Sequence, residues 1–430
     1  MLNVHFLGIG GSGASAAAAI AQAQGFEVTG CDLVPNNEFT TIFRPTQLLK
    51  GHSASHLTSG NVDILAVTPA IYSLDPKNPE ILEAKKKGIP IMTWQQFMGK
   101  YLMKDKFVIA VAGTHGKTTT TAMIARIMED SGLDPTVLLG AIVPLWKTNY
   151  RIGHSKYFIV EADEFNDNFL EFTPDISVVT SIEVDHPEYF KDLEAVKKSF
   201  RKFMESTKQT IVANLSDPGV NQTLNAQTGF GDSIEDYSKH LIEFPLQIPG
   251  EFNNWNASAA YQVGILLGIK PDTIRKSLAS YKGISRRFEY LGKFKGAEIY
   301  TDFGHHPTEI KTTMQAAREK YPSQKIWLIY EPHMFTRTKA LFADFVKVFK
   351  GIMANNLVDR AIITDIYPSR EVNTGLISSK DLVDTIHDDT LVYHSKAELK
   401  NVLTKQIQKG DILFFMGAGD IDKIAKELVE

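Results

Sequence analysis

Cysteine is nearly absent from this sequence of 430 residues, which contains only Cys31. A single cysteine excludes an intramolecular disulfide and a zinc site built from cysteines, and it favours a reducing compartment. Long hydrophobic runs are also missing, since no stretch approaches the roughly 18 apolar residues that a membrane-spanning helix needs. The apolar segment from Val4 to Leu7 is short and has no basic flank, unlike a signal peptide. We therefore expect a cytoplasmic protein without a membrane span.

Positive charge is not in excess, because 46 Lys and Arg residues face 50 Asp and Glu residues for a net charge of -4. Nucleic-acid surfaces usually carry a basic excess, so we expect no nucleic-acid partner, and any phosphate site must be local. The composition is 43% hydrophobic and 22% charged, which is typical of globular proteins. At about 150 residues per domain, the length predicts about three domains.

Short apolar runs alternate with helical stretches throughout the chain, and this alternation is typical of parallel α/β domains. It starts three times, at the N-terminus, at Phe107 and near Ile299. We predict three α/β domains over residues 1–104, 105–284 and 285–430.

A glycine-rich turn, Gly8-Ile9-Gly10-Gly11-Ser12-Gly13, follows the first predicted strand and opens a helix, and Asp32 ends the next strand. Glycines let the backbone approach a diphosphate at a helix N-terminus. A tight turn without a ligand produces the same pattern, and the pattern does not distinguish a dinucleotide from a nucleotide sugar. We predict that a nucleotide is bound by Gly10, Gly11, Ser12, Gly13 and Asp32.

The more specific signal is Ala112-Gly113-Thr114-His115-Gly116-Lys117-Thr118-Thr119, which lies between an apolar strand and a helix. In such a loop, backbone amides hold phosphate oxygens, the lysine neutralises the β- and γ-phosphates, and the following hydroxyl can bind Mg²⁺. The strict form of the motif has a glycine where this chain has Val111, so this is a shortened variant. We predict that ATP is bound by Gly113, Thr114, His115, Gly116, Lys117, Thr118 and Thr119.

Two further segments place metal-binding side chains after predicted strands. Glu161 ends the strand that starts at Tyr157, and His186 follows the predicted strand from Ile176 to Ile182. The carboxyl ends of parallel strands share one edge, where the phosphate loop also lies. We therefore predict that Thr118, Glu161 and His186 arrange Mg²⁺.

Polar residues also follow strands of the third domain. Asp302 precedes a histidine pair that begins with His305, and His333 follows a later strand. Arg286 and Arg287 lie near the predicted boundary between the second and third domains. Adjacent arginines usually form a solvated turn, but an arginine from a neighbouring domain can stabilise transferred charge when domains close.

Taken in order, these motifs resemble the Mur ligase family, and most closely its alanine-adding branch. The resemblance runs nearly end to end. Besides the two glycine loops, it is carried by Asn78-Pro79-Glu80, Glu161-Ala162-Asp163-Glu164, Asp185-His186, Pro249-Gly250 with Asn253, Arg286-Arg287-Phe288, Asp302 to Glu309, Pro332-His333 and Gly417 to Ile421.

The resemblance implies a Rossmann-like N-terminal domain that binds a UDP-sugar and a central P-loop ATPase domain. It also implies a Rossmann-like C-terminal domain that binds an amino acid. The implied activity is an ATP-dependent, ADP-forming ligase that joins L-alanine to UDP-N-acetylmuramate through an acyl phosphate, in peptidoglycan precursor synthesis. We expect a monomer or weak homodimer.

The same resemblance implies residue roles. The catalytic residues would be Lys117, Glu161, His186, Arg287 and Asp302. Asn253 would lie on the adenine side of ATP, and His305 and His333 would lie on the substrate side.

Several positions depart from the alanine-adding pattern and leave the acceptor open: Phe165 to Asn168, Phe252, Glu331 and Met334. One alternative is a recycling ligase that attaches a murein peptide to the same nucleotide, although such ligases have a longer insertion after Glu164. Another is an NAD(P)-dependent oxidoreductase, which leaves the phosphate loop unexplained, and a third is a non-catalytic nucleotide-binding regulator. Lys197 and its neighbour are expected to be surface lysines.

Overall fold

A computed structural model describes residues 2–58, 60–225, 234–369 and 371–429. Contacts divide the chain into two compact units. The first unit comprises Met1–Glu183, Glu194–Ile242 and Asn256–Leu278, and the second comprises Val184–Leu193, Glu243–Trp255 and Ala279–Glu430. Within the described residues, no helix combines the length and apolar character needed to cross a membrane.

The first unit begins with a five-stranded, wholly parallel sheet in the order β3-β2-β1-β4-β5. Its strands are β1 (Asn3–Leu7), β2 (Glu27–Asp32), β3 (Leu48–Lys50), β4 (Ile64–Val67) and β5 (Ile91–Thr93). The accompanying helices are α1 (Ser12–Ala23), α2 (Ile71–Leu74), α3 (Pro79–Lys87) and α4 (Trp94–Phe97). This doubly wound order confirms the Rossmann-like prediction for the N-terminal region.

Local sequence explains these elements. Helix α1 is rich in alanine and is buried over Ala14 to Ala21, because small side chains allow close packing against the sheet. Helix α3 begins where the Asn78 side chain accepts a hydrogen bond from Glu80 N and Pro79 occupies the first turn. It ends at Gly88, whose φ of 68° suits a helix C-terminus.

A second, seven-stranded sheet of the first unit has the order β12-β11-β10-β6-β9-β7-β8. Its strands are β6 (Phe107–Ala112), β7 (Thr136–Val143), β8 (Thr148–Arg151), β9 (Tyr157–Glu161), β10 (Ile176–Val179), β11 (Thr210–Ala213) and β12 (Ile234–Asp236). The helices that follow in the sequence are α5 (Lys117–Asp130), α6 (Leu193–Glu205), α7 (Pro218–Asn225), α8 (Glu251–Leu266) and α9 (Pro271–Ala279). All neighbouring strands are parallel except β7 and β8, which form an antiparallel pair.

Strand β6 begins at Phe107, as predicted, and its apolar sequence is buried on both faces, as in central parallel strands. The predicted strand from Ile176 to Ile182 was too long, because β10 ends at Val179. The next residues leave the ladder and bind the phosphate loop, where Ser181 O accepts a hydrogen bond from Thr114 N at 2.9 Å.

The second unit contains a six-stranded sheet in the order β13-β14-β18-β15-β16-β17. Its strands are β13 (Glu289–Phe294), β14 (Ala297–Asp302), β15 (Ile326–Tyr330), β16 (Arg360–Ile363), β17 (Leu391–Tyr393) and β18 (Ile412–Met416). Its helices are α10 (Pro307–Lys320), α11 (Phe335–Ala340), α12 (Phe342–Ala354), α13 (Ser379–Ile386), α14 (Lys396–Gln406) and α15 (Ile421–Leu428). Only β13 pairs antiparallel, with β14.

Both faces of this third sheet are covered. Leu328 and Phe414 point into one apolar core, whereas Trp327 and Phe415 point into another. The alternation of neighbouring residues between two cores follows from the two-residue period of a strand. The carboxyl ends of its parallel strands carry the polar residues considered below.

Candidate active site

The first glycine turn lies between β1 and α1, as predicted. Gly8 has a φ of 87°, which favours glycine, and a Cβ on Gly10 would lie 2.8 Å from Asp32 Cγ. Gly10 N donates to Asp32 Oδ2 at 3.0 Å, and Val34 N donates to Asp32 Oδ1 at 3.1 Å. Asp32 therefore fixes the shape of the turn through both carboxylate oxygens. Its contact with a ligand stays a prediction, as do those of Gly11, Ser12 and Gly13.

The phosphate loop connects β6 to α5, and its two glycines cannot be replaced without collision. Gly113 has a φ of 142°, and a Cβ there would lie 2.0 Å from Thr180 Oγ1. Gly116 has a φ of 82°, and its Cβ would lie 2.3 Å from Asn256 Oδ1. The loop is thus folded tightly against its neighbours at the N-terminus of α5, where the helix dipole favours anions.

The segment after β10 holds this loop in place. His115 N donates to Ser181 Oγ at 3.0 Å, and Glu183 N donates to Thr114 Oγ1 at 2.8 Å. Sequence analysis did not assign Ser181 or Glu183 to the site. Glu183 follows the predicted strand from Ile176 to Ile182, and Ser181 lies near its end, which is the signal that could have identified them.

Lys117 is the cation of the loop. Its Nζ donates to Gly113 O at 2.5 Å and to Glu164 Oε2 at 2.8 Å. Burial alone would lower the pKa of Lys117, but the negative charges of Glu164 and Asp163 outweigh it and raise the pKa above its ordinary value. The amine therefore stays charged and faces the loop, as phosphate binding requires.

Thr118 and Glu161 meet at the end of β9, which brings together two of the three predicted metal-binding residues. Thr118 Oγ1 donates to Glu161 Oε1 at 2.9 Å, and Gly140 N donates to Glu161 Oε2 at 2.6 Å. A hydroxyl and a carboxylate are oxygen donors, which Mg²⁺ prefers, so these residues fit that ion. The convergence of His186 on the same metal stays a prediction.

His186 lies in a charged cluster of the second unit. Arg337 Nη2 is 2.8 Å from Asp185 Oδ1 and 3.3 Å from His186 Nδ1. The same histidine nitrogen, His186 Nδ1, is 3.2 Å from Glu188 Oε1. Burial opposes ionisation of Asp185, but the guanidinium of Arg337 holds the pKa of Asp185 well below its ordinary value. Arg337 is 2% exposed and was not assigned a role from the sequence.

His305 and His333 both face this cluster within the second unit. His333 Nδ1 lies 3.3 Å from Arg337 Nη1, and the centres of the two imidazole rings are 5.6 Å apart. Burial, and then the positive charge of Arg337, lowers the pKa of His305 to about 4. His305 is therefore neutral at pH 7. The structure therefore brings His305 and His333, both predicted on the substrate side, close to Arg337.

Asp302 and the two arginines lie around a single phenylalanine. The guanidinium carbons of Arg286 and Arg287 are 4.9 and 5.2 Å from the centre of the Phe303 ring. Asp302 accepts hydrogen bonds from Phe288 N at 2.9 Å and Gly304 N at 2.8 Å. Burial raises the pKa of Asp302, although Arg287 opposes the shift. Asp302 thus orders the start of the third sheet, and its catalytic role stays a prediction.

A second acidic centre was not predicted. Lys396 Nζ lies 3.2 Å from Glu331 Oε2 and 2.5 Å from Asp420 Oδ1, and Glu331 is fully buried. Burial raises the pKa of Glu331 from its ordinary value of 4.5 to about 7, against the charge of Lys396. Glu331 and Asp420 follow strands and could have been grouped, but nothing in the sequence marks Lys396.

The predictions for Asn253 and Lys197 have different outcomes. Asn253 lies in the first turn of α8, where its Nδ2 donates to Pro249 O at 2.6 Å, and its contact with adenine stays a prediction. Lys197 is buried, so its expected surface position was wrong. Its Nζ donates to Glu194 Oε1 at 2.8 Å and to Gln222 Oε1 at 2.6 Å.

The chain is similar along its whole length to one group of enzymes. Residues 3–106 match the family described as Mur ligase family, catalytic domain, residues 111–240 match the Mur ligase middle domain, and residues 286–419 match the Mur ligase, glutamate ligase domain. The UDP-N-acetylmuramate–L-alanine ligase of Caldicellulosiruptor saccharolyticus is 38% identical over 465 residues, covering 100% of this chain and 99% of its own. The chain belongs to the Mur ligase family.

A second sequence relative and a solved structure show the same similarity. The UDP-N-acetylmuramate–L-alanine ligase of Alkaliphilus metalliredigens is 36% identical over 99% of this chain and 97% of its own. The crystal structure of the UDP-N-acetylmuramate-alanine ligase MurC from Thermotoga maritima has a TM-score of 0.80 and 26% identity, covering 100% of this chain and 98% of its own. The predicted three-domain α/β fold class is thereby confirmed, whereas the domain boundaries at residues 104 and 284 stay predictions.

Proposed function

We propose that this Mur ligase joins L-alanine to UDP-N-acetylmuramate with consumption of ATP, as the names of its relatives state for those proteins. The observation that carries the chemistry is the phosphate loop, where charged Lys117 and the Thr118–Glu161 pair lie at the N-terminus of α5. A carboxylate is a poor acyl donor, so amide formation at neutral pH requires activation. Phosphoryl transfer from ATP supplies that activation.

The reaction has two steps. An oxygen of the lactyl carboxylate of UDP-N-acetylmuramate attacks the γ-phosphorus of ATP, the bond to the bridging oxygen breaks, and ADP leaves with the electron pair. The neutral amine of L-alanine then attacks the carbonyl carbon of the acyl phosphate. The tetrahedral intermediate loses inorganic phosphate and one amine proton, which leaves the amide.

The following residues act on the two nucleotides, ATP and the UDP-sugar. Lys117 neutralises the β- and γ-phosphates, and the amides of the loop hold phosphate oxygens. Thr118 and Glu161, with the predicted participation of His186, would hold Mg²⁺, and the ion would supply positive charge against the transferred phosphoryl group. The glycine turn after β1 holds the UDP portion, and Asn253 lies on the adenine side of ATP.

The residues of the second unit act on the acceptor and on developing charge. Arg287 stabilises the transferred phosphoryl group, and Asp302 keeps the backbone beside that arginine in position through its bonds to Phe288 N and Gly304 N. His305 is neutral and partly buried beside Arg337, so it binds the acceptor as a polar group without adding charge. The cytoplasmic location and the monomeric or weakly dimeric state expected from the sequence stay predictions.

The recycling ligase is the second candidate for the acceptor. Only a short helical segment, Phe165–Glu171, separates Glu164 from β10, so the longer insertion expected for such ligases is missing there. The test follows phosphate release from purified protein with Mg²⁺-ATP and UDP-N-acetylmuramate. L-Alanine, glycine, L-serine and a murein tripeptide are compared as acceptors. We expect phosphate release with L-alanine. Phosphate release with the tripeptide alone would select the recycling ligase, and no phosphate release with any acceptor would refute the ligase function.

A further inference from the structure

A buried cluster of four potential metal ligands lies in the first unit, outside the phosphate loop. It consists of His5, Cys31, His56 and Glu80, and one donor atom from each lies within 4.8 Å of the other three. We propose that these side chains bind a divalent transition-metal ion of the zinc class. The ligase reaction proposed above does not use this cluster, so the two proposals stand independently.

The fold brings these residues together from four parts of the sequence. His5 and Cys31 lie on the paired strands β1 and β2, whose register places Leu7 opposite Cys31. Glu80 lies in the first turn of α3, and His56 lies in the short 3₁₀ turn Ala54–Leu57. A metal at this site would link two neighbouring strands, a turn and a helix.

The distances are close to those of a metal site. Glu80 Oε1 is 3.0 Å from both Cys31 Sγ and His56 Nδ1, and Glu80 Oε2 is 3.1 Å from His5 Nε2. A tetrahedral zinc ion with bonds of roughly 2.0–2.3 Å holds its ligand atoms about 3.3–3.6 Å apart. The three contacts with Glu80 are therefore a few tenths of an ångström shorter than in such a site, and the four donor atoms lie within 4.8 Å of one another.

Burial supplies an independent indication. His5, Cys31 and Glu80 are each 0% exposed. His5 Nε2 and Glu80 Oε2 face each other, yet among the described residues neither atom has a hydrogen bond of acceptable geometry. Buried polar atoms are almost always satisfied, so two buried atoms without a hydrogen bond of good geometry fit a site that a further ligand completes.

The surroundings orient the ligands as in known metal sites. The other ring nitrogen of His5 lies 2.8 Å from Thr29 Oγ1, which fixes the ring so that Nε2 points into the cluster. Ser53 N donates to Glu80 Oε1 at 3.0 Å and limits the position of the carboxylate. His52 Nδ1, at 3.5 Å from Cys31 Sγ, lies beside the thiol.

The donor set selects the class of metal. Two imidazole nitrogens, one sulfur and one carboxylate oxygen suit Zn²⁺ and related transition metals, whereas Mg²⁺ prefers oxygen atoms alone. A single cysteine excludes an all-cysteine site but is compatible with this mixed one. When the metal binds, the thiol proton that Cys31 shares with Glu80 is released and the thiolate becomes the ligand.

The direct test uses the full chain, freed of metal by a chelator and kept in excess Mg²⁺ to occupy oxygen-rich sites. Co²⁺ is the probe, because a thiolate ligand gives it a charge-transfer band in the near ultraviolet. We expect one Co²⁺ per chain with this band, and full displacement by one Zn²⁺. Absence of the band in excess Co²⁺ would overturn the proposal.

Two variants and a control assign the ligands. Cys31→Ser should lose the charge-transfer band, and His56→Gln should weaken Zn²⁺ binding roughly tenfold or more. The control is His154→Gln, since the side chain of His154 is 89% exposed on the same unit. Equal Zn²⁺ affinity in His56→Gln and His154→Gln would overturn the proposal. The side chain of His56 is 13% exposed, whereas Cys31 is fully buried, so the outcome does not depend on whether the Cys31 variant folds.

Discussion

Lys117 Nζ lies 2.8 Å from Glu164 Oε2, and this ion pair sets the position of the cation in the phosphate loop. The neighbouring carboxylates keep the pKa of the buried amine above its ordinary value. The protein itself therefore holds the lysine charged and pointed at the loop. An incoming phosphate meets a cation that is already oriented, which reduces the reorganisation required during phosphoryl transfer.

The first prediction concerns Lys117→Ala. Removing the amine should lower kcat by roughly 10²–10³-fold, because charge developing on the transferred phosphoryl group loses its cation. Binding of UDP-N-acetylmuramate should change little, since the glycine turn after β1 is a separate part of the chain. Steady-state kinetics and calorimetric titration with the sugar nucleotide measure the two effects.

Lys198→Ala is the matched control for this prediction, because Lys198 is an exposed lysine of the same unit. It should leave both measurements unchanged. If Lys117→Ala weakened sugar-nucleotide binding as much as turnover, the proposed division of labour between the two glycine loops would be wrong.

The second prediction concerns the loop glycines. Gly113→Ala places a Cβ 2.0 Å from Thr180 Oγ1, so the loop must shift and ATP binding should be lost. Gly132→Ala is the control, since Gly132 also has a positive φ, of 77°, but no atom within 4 Å of the added Cβ. It should cost only the backbone strain, about 1–2 kcal/mol, and keep ATP binding. Equal ATP affinity in the two variants would contradict a collision at Gly113.

Much of this site follows from the sequence, because strand-loop-helix order places it. The run from Phe107 to Ala112 predicts a central strand, and the loop after it could only be a turn at the carboxyl edge of a parallel sheet. Glu161 was predicted at the same edge and does meet Thr118 there. What could not be predicted is Glu164 as the partner of Lys117, because β9 ends at Glu161 and the two-residue period of a strand does not place the side chains beyond it.

The third prediction concerns the buried pair of Asp185 and Arg337. Arg337→Met leaves a buried carboxylate without its counter-ion and should lower the free energy of unfolding by about 3–5 kcal/mol. The exposed pair of Arg126 and Asp130, with Arg126 35% exposed, provides the control, and Arg126→Met should cost less than about 1 kcal/mol. Urea unfolding measures both. Similar costs for the two variants would show that Arg337 does not stabilise Asp185.

The same pair predicts a pH dependence. Because Arg337 keeps the pKa of Asp185 below its ordinary value of 3.8, the stabilisation is present above that pH and is lost as the pH falls. The cost of Arg337→Met should therefore shrink in acid, where Asp185 is protonated. A cost that is independent of pH would contradict an ionic interaction.

The fourth prediction concerns Glu331, whose pKa is shifted in the opposite direction from that of Asp185. Its pKa is raised from 4.5 to about 7, so the folded state binds the proton more tightly and loses stability as the pH rises through this window. The loss is on the order of 3 kcal/mol. Glu331→Gln should remove it, so the variant should gain stability relative to the natural chain between about pH 5 and pH 7.5.

Glu427→Gln, at an exposed glutamate of the same unit, is the control and should show no such gain. Urea unfolding at several pH values measures the differences. A difference for Glu331→Gln that does not change with pH would show that burial does not hold Glu331 protonated.

Sequence reasoning missed the contacts that depend on packing between distant elements. Lys396 begins α14, and only the folded sheet brings it beside Glu331 at the end of β15. Arg337 was not assigned a role, since its partner Asp185 lies 152 positions earlier in the chain. Buried ion pairs of this kind leave no periodic pattern, whereas glycines and strand ends do.

Isotope transfer tests the central claim, activation of a carboxylate by ATP, most directly. UDP-N-acetylmuramate labelled with ¹⁸O in both carboxylate oxygens is incubated with the protein, Mg²⁺-ATP and L-alanine, and the products are analysed by mass spectrometry. An acyl phosphate predicts one ¹⁸O atom in the released phosphate, one in the new amide and none in ADP. Phosphate without ¹⁸O, or no product with L-alanine, would contradict the account.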